Sequence, residues 1–266
     1  MNRALGRLYF GLMAAMLLAP LVVVTGVSLN ERRRLLFPPE GFSLQWYGAL
    51  FRDSAWLNAV TNSLSIATLA ALAACSIALP VAYALWRYRL FYVRVLFGLG
   101  IAPFILPPVI TALGYLIFWT QTGQYGQFWA VVISHGIFLV TLPLITISLG
   151  FETIDSAYTE AATTMGADER TVFRTVILPM VLPYIVSGYA FAFVISLNEY
   201  IIAYMVAGFT VETLPIKVFN ALRYGYTPVM AAVSVVFIGV SFAIFGLVAK
   251  FGDLPKLLGA WSPREE

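Results

Sequence analysis

Six apolar segments, each long enough to cross a bilayer, constrain the fold of this chain more than any other feature. They lie at residues 8–29, 58–85, 95–119, 128–149, 182–207 and 229–249. A helical span needs about 20 predominantly apolar residues. Of the 266 residues, 61% are apolar and 11% are charged, against about 45–50% and about 25% in soluble domains. We therefore predict a membrane protein with short loops and no room for a separate catalytic domain.

The fold class follows from the behaviour of a backbone in lipid. Without water, a spanning segment must pair its own N–H and C=O groups, which only helices and closed barrels achieve. Runs of this length that lack strict alternation of polar and apolar residues exclude a barrel. The prediction is an all-α membrane protein with six transmembrane helices.

The basic residues indicate the direction of the spans. With the N-terminus inside, ten Lys and Arg residues fall in cytoplasmic segments and six in outer ones, as the positive-inside rule expects. Both termini are therefore predicted to be cytoplasmic, and the net charge of +3 belongs to the inner loops rather than to a nucleic-acid site. We expect a first helix and outer loop at 1–57, a transmembrane core at 58–250 and a short cytoplasmic tail at 251–266.

The longest cytoplasmic connection, residues 150–181, has the pattern of two short helices rather than of a linker. Asp155 or Ser156 can cap the first helix, and Gly166 can end it. The apolar positions of this helix share one narrow face at helical spacing: Tyr158, Ala161, Ala162 and Met165.

The second helix of the connection has its own start and stop signals. Asp168 can cap it, and Leu178–Pro179 with Pro183 mark the entry into the fifth span. An exposed apolar face at the membrane surface needs a groove to cover it. Because no other part of the chain offers a soluble groove, we predict that another protein supplies it.

Within this connection, Glu160-Ala161-Ala162, then Gly166, then Val176-Ile177-Leu178-Pro179 resemble the EAA signature of permease subunits of ATP-binding-cassette importers. Three residues separate the Ala pair from the Gly, and nine more precede the apolar-x-Leu-Pro ending, which is the family's spacing. The motif also lies between the fourth and fifth spans, as in the family. One departure is Val176, where Ile is usual, and it preserves the apolar surface.

The resemblance implies a type I importer permease fold in which the loop between helices 4 and 5 is a coupling-helix pair that docks on a separate ATPase. It implies seven coupling positions: Glu160, Ala161, Ala162, Gly166, Ala167, Leu178 and Pro179. Small residues there permit a close helix approach and a tight turn, while Glu160 can fix the turn or meet a basic partner residue.

The partners are implied by the same resemblance. They are an ATPase dimer that binds ATP and Mg, a second permease subunit in a heterodimer, and a periplasmic solute-binding protein, all at the lipid bilayer of a bacterial inner membrane. The chain itself lacks the G-x-x-x-x-G-K-[ST] phosphate loop. No cofactor or metal is therefore expected in this chain, and it is not expected to be an enzyme.

The similarity extends from about residue 41 to the last span. The segments 41–47, 196–200, 213–219 and 227–228 resemble the spermidine/putrescine group of these permeases. The chain departs from that group at Asn198–Glu199, where an Asp pair is usual, and at Pro107–Pro108, where a Pro-Asp step is usual. Fewer intramembrane acids weaken the binding of a di- or trication. The implied substrate is a small amine, polyamine or polyamine-like, and an amino-acid-like or opine-like compound stays open.

Polar groups and helix breakers in the spans are candidates for the substrate path. Glu199 is the only acid in a predicted span, and such residues face a cavity or a partner; the alternative is a protonated or hydrogen-bonded structural role. His135, the only histidine, can contact substrate or simply pack. Prolines, including Pro103, are expected to break the third span. The candidates are Asn198, Glu199, Tyr200, His135, Pro107 and Pro108.

Two other function classes fit the sequence less well. An intramembrane enzyme needs a positioned nucleophile and base or several metal ligands, which one His, one Cys and one intramembrane acid do not supply. A stand-alone channel or secondary transporter leaves the 150–181 connection unexplained, and the chain shows no convincing internal repeat of the kind that such transporters carry.

Overall fold

The computed structural model describes residues 3–88, 90–224 and 227–251. These residues form thirteen α-helices and one π-helical turn, with no strand among them, which confirms the all-α fold. The α-helices are α1 (Arg3–Ser28), α2 (Gln45–Arg52), α3 (Ser54–Tyr88), α4 (Phe91–Ile105), α5 (Pro108–Gln121), α6 (Phe128–Leu139), α7 (Thr141–Glu152), α8 (Ser156–Thr164), α9 (Glu169–Val172), α10 (Leu178–Asn198), α11 (Ile201–Ala207), α12 (Leu214–Tyr224) and α13 (Val229–Phe251). The π turn covers Phe173–Ile177. The predicted tail at 251–266 lies, except for Phe251, outside the described residues.

The spanning helices correspond to the six predicted segments. Four described helices are long and apolar enough to cross a bilayer: Leu5–Ser28, Ser54–Tyr88, Glu169–Asn198 and Val229–Leu247. Two further spans are bent pairs, α4 with α5 at 107° and α6 with α7 at 43°. Counting each pair as one span gives six.

The sharp bend of the third span lies at Leu106 and Pro107. Both residues are extended, with ψ of 146° and 131°, because a proline keeps the residue before it out of the helical region. Pro108 then starts α5, where its missing N–H costs nothing. Pro103 lies inside α4, so the expectation that it also breaks the span is wrong.

The fifth span differs from the prediction at both ends. Its helix runs without a break from α9 through the π turn into α10, so the expected boundary at Leu178–Pro179 is wrong. Pro179 cannot donate to a carbonyl one turn back, and a wider π turn just before it accommodates its ring. At the other end, α10 stops at Asn198 and Glu199 is extended. The helix predicted over 182–207 is therefore two helices.

The chain divides into two compact units, Met1–Val60 with Lys217–Phe242, and Thr61–Ile216 with Ala243–Glu266. In the first unit, α2 is tied to the end of α1 and to the segment that follows it. Trp46 Nε1 donates to the Asn30 carbonyl at 2.6 Å, and the Ser28 and Tyr47 hydroxyls are 2.8 Å apart. The Lys217 ammonium lies 5.5 Å from the centre of the Trp56 ring, within range of a cation–π contact.

In the second unit, α10 packs on α7 through two glycines. A Cβ on Gly188 would lie 2.6 Å from Pro143 Cα, and one on Gly150 would lie 2.7 Å from Tyr184 Cγ. Side chains at these positions would hold the two helices apart. Small residues at such contacts let the backbones of membrane helices approach closely.

Candidate functional site

The first helix of the 150–181 connection begins and ends through local hydrogen bonds. The Asp155 carboxylate accepts from Ala157 N at 2.9 Å and caps α8, which confirms the predicted start. After the helix, Gly166 has a φ of +85°. Gly166 N donates to the Thr163 carbonyl at 2.9 Å, and Ala167 N donates to the Ala162 carbonyl at 3.1 Å. This pair of bonds is a Schellman motif, whose left-handed position favours glycine.

The second helix of the connection begins at Asp168, as predicted. The Asp168 carboxylate accepts from Thr171 N at 2.9 Å. Hydrogen bonds from the side chain and backbone of Thr171 lower the pKa of Asp168, because they stabilise its charged form. The two caps and the Schellman motif give the connection a defined turn between its helices.

One face of the connection is fixed to the transmembrane core. Ala162, Val172 and Ile177 belong to the same buried cluster as residues of α3 and α7, including Ala82 and Phe151. The Phe173 ring meets the Tyr83 ring edge-on with centroids 5.1 Å apart. At the surface, Arg87 Nη2 lies 3.3 Å from Glu169 Oε1. Movement of the connection is therefore tied to α3, α7 and α10.

The opposite face of the connection is exposed. Tyr158 and Met165 have exposed fractions of 58% and 82%, and Ala161 lies between them on the same side. Ala162 is buried, so the expected four-residue face comprises three exposed residues and one that points into the core. Ala162 is buried because it packs in the cluster that α3 and α7 form beneath the connection.

Glu160 lines an open groove of about 630 Å³ between the connection and the last turns of α3. Tyr83, Trp86 and Arg87 form the α3 wall of the groove. Within the described part of the chain, the Glu160 carboxylate forms no ion pair. Leu178 and Pro179 begin α10, half-buried and exposed respectively.

The candidate path residues lie at two places, the break between α10 and α11 and the bend between α4 and α5. Asn198 ends α10 and is exposed, and its Nδ2 donates to the Val194 carbonyl at 2.8 Å. Glu199 follows it, but its side chain is only 7% exposed, and it meets His135 of α6. The Tyr200 ring stacks on Tyr204 with centroids 5.4 Å apart. Pro107 and Pro108, both exposed, lie at the bend of another span.

Two residues of the site were not among the candidates from the sequence. They are Ser196, whose Oγ lies 2.8 Å from His135 Nδ1, and Gly188. A glycine beside a serine in an apolar span is a signal of close helix packing, and Ser187–Gly188 carries that signal.

The fold has up to six spans, and the loop between the fourth and fifth is fixed to the core on one face and exposed on the other, an arrangement suited to the membrane subunit of a transport system. Residues 66–252 match the model of the family described as "Binding-protein-dependent transport system inner membrane component". The chain belongs to this family of importer permeases, whose members lie in the inner membrane.

Curated relatives cover most of the chain. The spermidine/putrescine transport system permease protein PotC of Haemophilus influenzae is 32% identical over 230 residues, 86% of this chain and 89% of the relative. The putrescine transport system permease protein PotI of Escherichia coli K12 is 34% identical over 245 residues, 88% and 85% of the two chains. PhnV of Salmonella typhi, named for 2-aminoethylphosphonate transport, is 27% identical over 96% of this chain and 97% of its own.

Solved structures share the fold. A chain from a bacterial ABC transporter involved in the import of the acidic polysaccharide alginate matches with a TM-score of 0.70 at 18% identity, covering 93% of this chain and 95% of that one. A chain of the MetNI methionine ABC transporter in an inward-facing conformation matches with a TM-score of 0.60, covering 79% and 97%. These matches confirm the type I importer permease fold.

The cap at Asp168 leads to a first prediction. Asp168→Ala is expected to speed hydrogen exchange at the backbone amide of Thr171, because an N-cap side chain satisfies an amide that has no partner in the helix. Asp168→Ser, which retains a capping oxygen, is the matched control and should restore slow exchange. Mass spectrometry of peptides from this segment measures the effect. Equal exchange in the alanine and serine variants would contradict the capping role.

Proposed function

We propose that this chain is the permease subunit of an ATP-binding-cassette importer that carries a polyamine or polyamine-like amine into the bacterial cytoplasm. The observation that carries the proposal is the 150–181 connection, with one face fixed in the core and Tyr158, Ala161 and Met165 facing solvent. A rigidly supported apolar surface is suited to docking another protein. The names of the PotC and PotI relatives support the substrate class.

The same proposal includes the partners and the orientation. A separate ATPase dimer binds ATP and Mg and takes the exposed face of the connection into a groove on its surface. A second, related permease completes the translocation path, and a solute-binding protein delivers the amine from outside. Both termini are cytoplasmic. The excess of Lys and Arg on that side, including Arg170 and Arg174 of the connection, supports this orientation.

A second candidate is an importer of the same class for a smaller primary amine, such as an aminophosphonate or an amino-acid-like compound. The name of the PhnV relative favours it. So does the site itself, because the one acid of the predicted spans, Glu199, is engaged by backbone amides and His135. A buried, engaged carboxylate offers a polyamine less charge than an exposed acid pair does.

A pull-down followed by an uptake assay tests the proposal. The tagged chain is extracted from its native membrane in mild detergent, and bound proteins are identified by mass spectrometry. We expect an ATPase subunit and a second permease. The complex is then placed in liposomes with its binding protein, and ATP-dependent uptake of labelled putrescine, spermidine and 2-aminoethylphosphonate is measured. Uptake of either polyamine supports the first candidate, and uptake of the phosphonate alone supports the second. A chain that purifies alone and moves solute without ATP would overturn both.

A further inference from the structure

Three polar side chains meet in the interior of the second unit. They are His135 of α6, Ser196 in the last turn of α10, and Glu199 just beyond it. His135 is 1% exposed, Ser196 is 4% exposed and the Glu199 side chain is 7% exposed. His135 Nδ1 lies 2.8 Å from Ser196 Oγ, and its Nε2 lies 3.3 Å from Glu199 Oε2. Polar groups at membrane depth are costly and are retained for a role.

The Glu199 carboxylate also closes the start of α11. Oε1 accepts from Ile201 N at 2.9 Å and from Ile202 N at 3.0 Å. Oε2 accepts from Ile202 N at 2.9 Å and from Ala203 N at 3.1 Å. The first amides of a helix have no partner within it and carry partial positive charge. The carboxylate therefore accepts hydrogen bonds from the first amides of α11, which the break in the fifth span leaves without carbonyl partners.

His135 consequently contacts a group on each side of this break. Through Ser196 it holds the end of α10, and through Glu199 it holds the start of α11. No group in the described residues forms a hydrogen bond of standard geometry with His135 Nε2, so its 3.3 Å contact with Glu199 Oε2 is a close polar approach rather than a hydrogen bond. α10 continues directly from the 150–181 connection, whereas α11 packs on α5 and α6.

We propose that His135 is a positioning residue that makes the α10–α11 break a rigid joint. A displacement of the connection moves α10. The contacts of His135 with Ser196 and Glu199 then move α11 together with α10, and α11 moves the helices on which it packs. This inference rests on the proposed function, because the displacement is the one an ATPase partner would drive. It assigns His135 no contact with the solute.

The test compares His135→Leu with His135→Gln in the complete importer reconstituted in liposomes. Leucine keeps apolar bulk but loses both polar contacts, whereas the glutamine amide can still reach Glu199. His135→Leu is expected to lower solute transported per ATP hydrolysed by about fivefold or more, the lower range of ordinary coupling between sites. The KM for the loaded binding protein should stay unchanged, and His135→Gln should recover part of the ratio. A raised KM with an unchanged ratio would overturn the proposal in favour of direct solute contact.

Ser134→Ala is the matched control. Ser134 is also fully buried on α6, but its hydroxyl accepts from Trp119 Nε1 of α5 at 2.8 Å rather than facing the break. We expect it to leave the transport-to-ATP ratio near that of the unmodified importer. An equal loss in this control would overturn the specific role of His135.

If His135→Leu fails to accumulate in the membrane, a second variant tests the joint. Ser196→Ala removes the α10 contact alone and should also lower the ratio of solute transported to ATP hydrolysed. An unchanged ratio would overturn the joint.

A measurement independent of transport separates the joint from the proposed function. Hydrogen exchange at the amides of residues 201–207 should be faster in His135→Leu than in Ser134→Ala, because the Glu199 carboxylate that caps these amides loses its contact with α6. Unchanged exchange would overturn the joint even if the importer is active. Faster exchange in a chain that shows no ATP-dependent uptake would retain the joint and refute the proposed function.

Discussion

Gly188→Val is expected to prevent the second unit from folding. The added Cβ would lie 2.6 Å from Pro143 Cα, a distance that real contacts do not reach. Overpacking of a filled interior typically costs about 1–3 kcal/mol, and here the obstacle is backbone on α7 rather than the end of a flexible side chain. The yield of monodisperse protein after extraction in mild detergent should fall close to zero.

Gly98→Val is the matched control for this prediction. Gly98 also lies in an apolar helix of the same unit, but a Cβ there meets no atom within 4 Å. This variant should be recovered at a yield near that of the unmodified chain. If both valine variants gave the same yield, α7 and α10 would not approach as closely as the structure has them.

Gly166→Val is expected to abolish most uptake while leaving insertion in the membrane unchanged. The φ of +85° lies in the left-handed region of the backbone. Placing a residue with a Cβ there costs about 1–2 kcal/mol of conformational free energy, and a β-branched residue costs more. About 1.4 kcal/mol corresponds to a tenfold change in an equilibrium. We therefore expect uptake to fall by about tenfold or more, measured against the amount of protein in the membrane. Unimpaired uptake would contradict the importer function.

Two further variants separate backbone strain from the loss of a docking surface. Asparagine tolerates the left-handed region, so Gly166→Asn should retain more uptake than Gly166→Val if the turn is what matters. Gly123 has a φ of +70° and equally open surroundings, but it lies outside the 150–181 connection. Gly123→Val imposes similar strain elsewhere and should transport more than Gly166→Val. Equal losses at both glycines would point to general instability.

Much of the 150–181 connection could be read directly from the sequence because its hydrogen bonds are local. The cap at Asp155 reaches two residues ahead and the cap at Asp168 reaches three, while the Gly166 turn closes on Thr163. Capping residues and a glycine at positive φ bond to near neighbours in the sequence, so their local structure can be predicted without the tertiary fold. The burial of Ala162 was not predictable in this way, because it depends on packing against α3 and α7.

The arrangement of the substrate-path candidates, in contrast, could not be predicted from local sequence. Nothing within four positions of His135 indicates that its ring meets Ser196, 61 positions later, or that Glu199 turns inward while the adjacent Asn198 stays exposed. Whether any of these residues lines the path of the solute stays a prediction. The experiments on His135 measure whether this cluster binds solute or transmits motion.

By itself, the sequence determined that the chain crosses the membrane about six times as helices and presents a turn of two short helices between the fourth and fifth spans. Hydrophobic length and backbone hydrogen bonding in lipid require the spans, and short-range capping defines the turn. Only the tertiary structure decided where the fifth span breaks, which side chain closes the break, and how closely α7 and α10 approach. Those features depend on groups that are distant along the chain and become neighbours only when the helices pack.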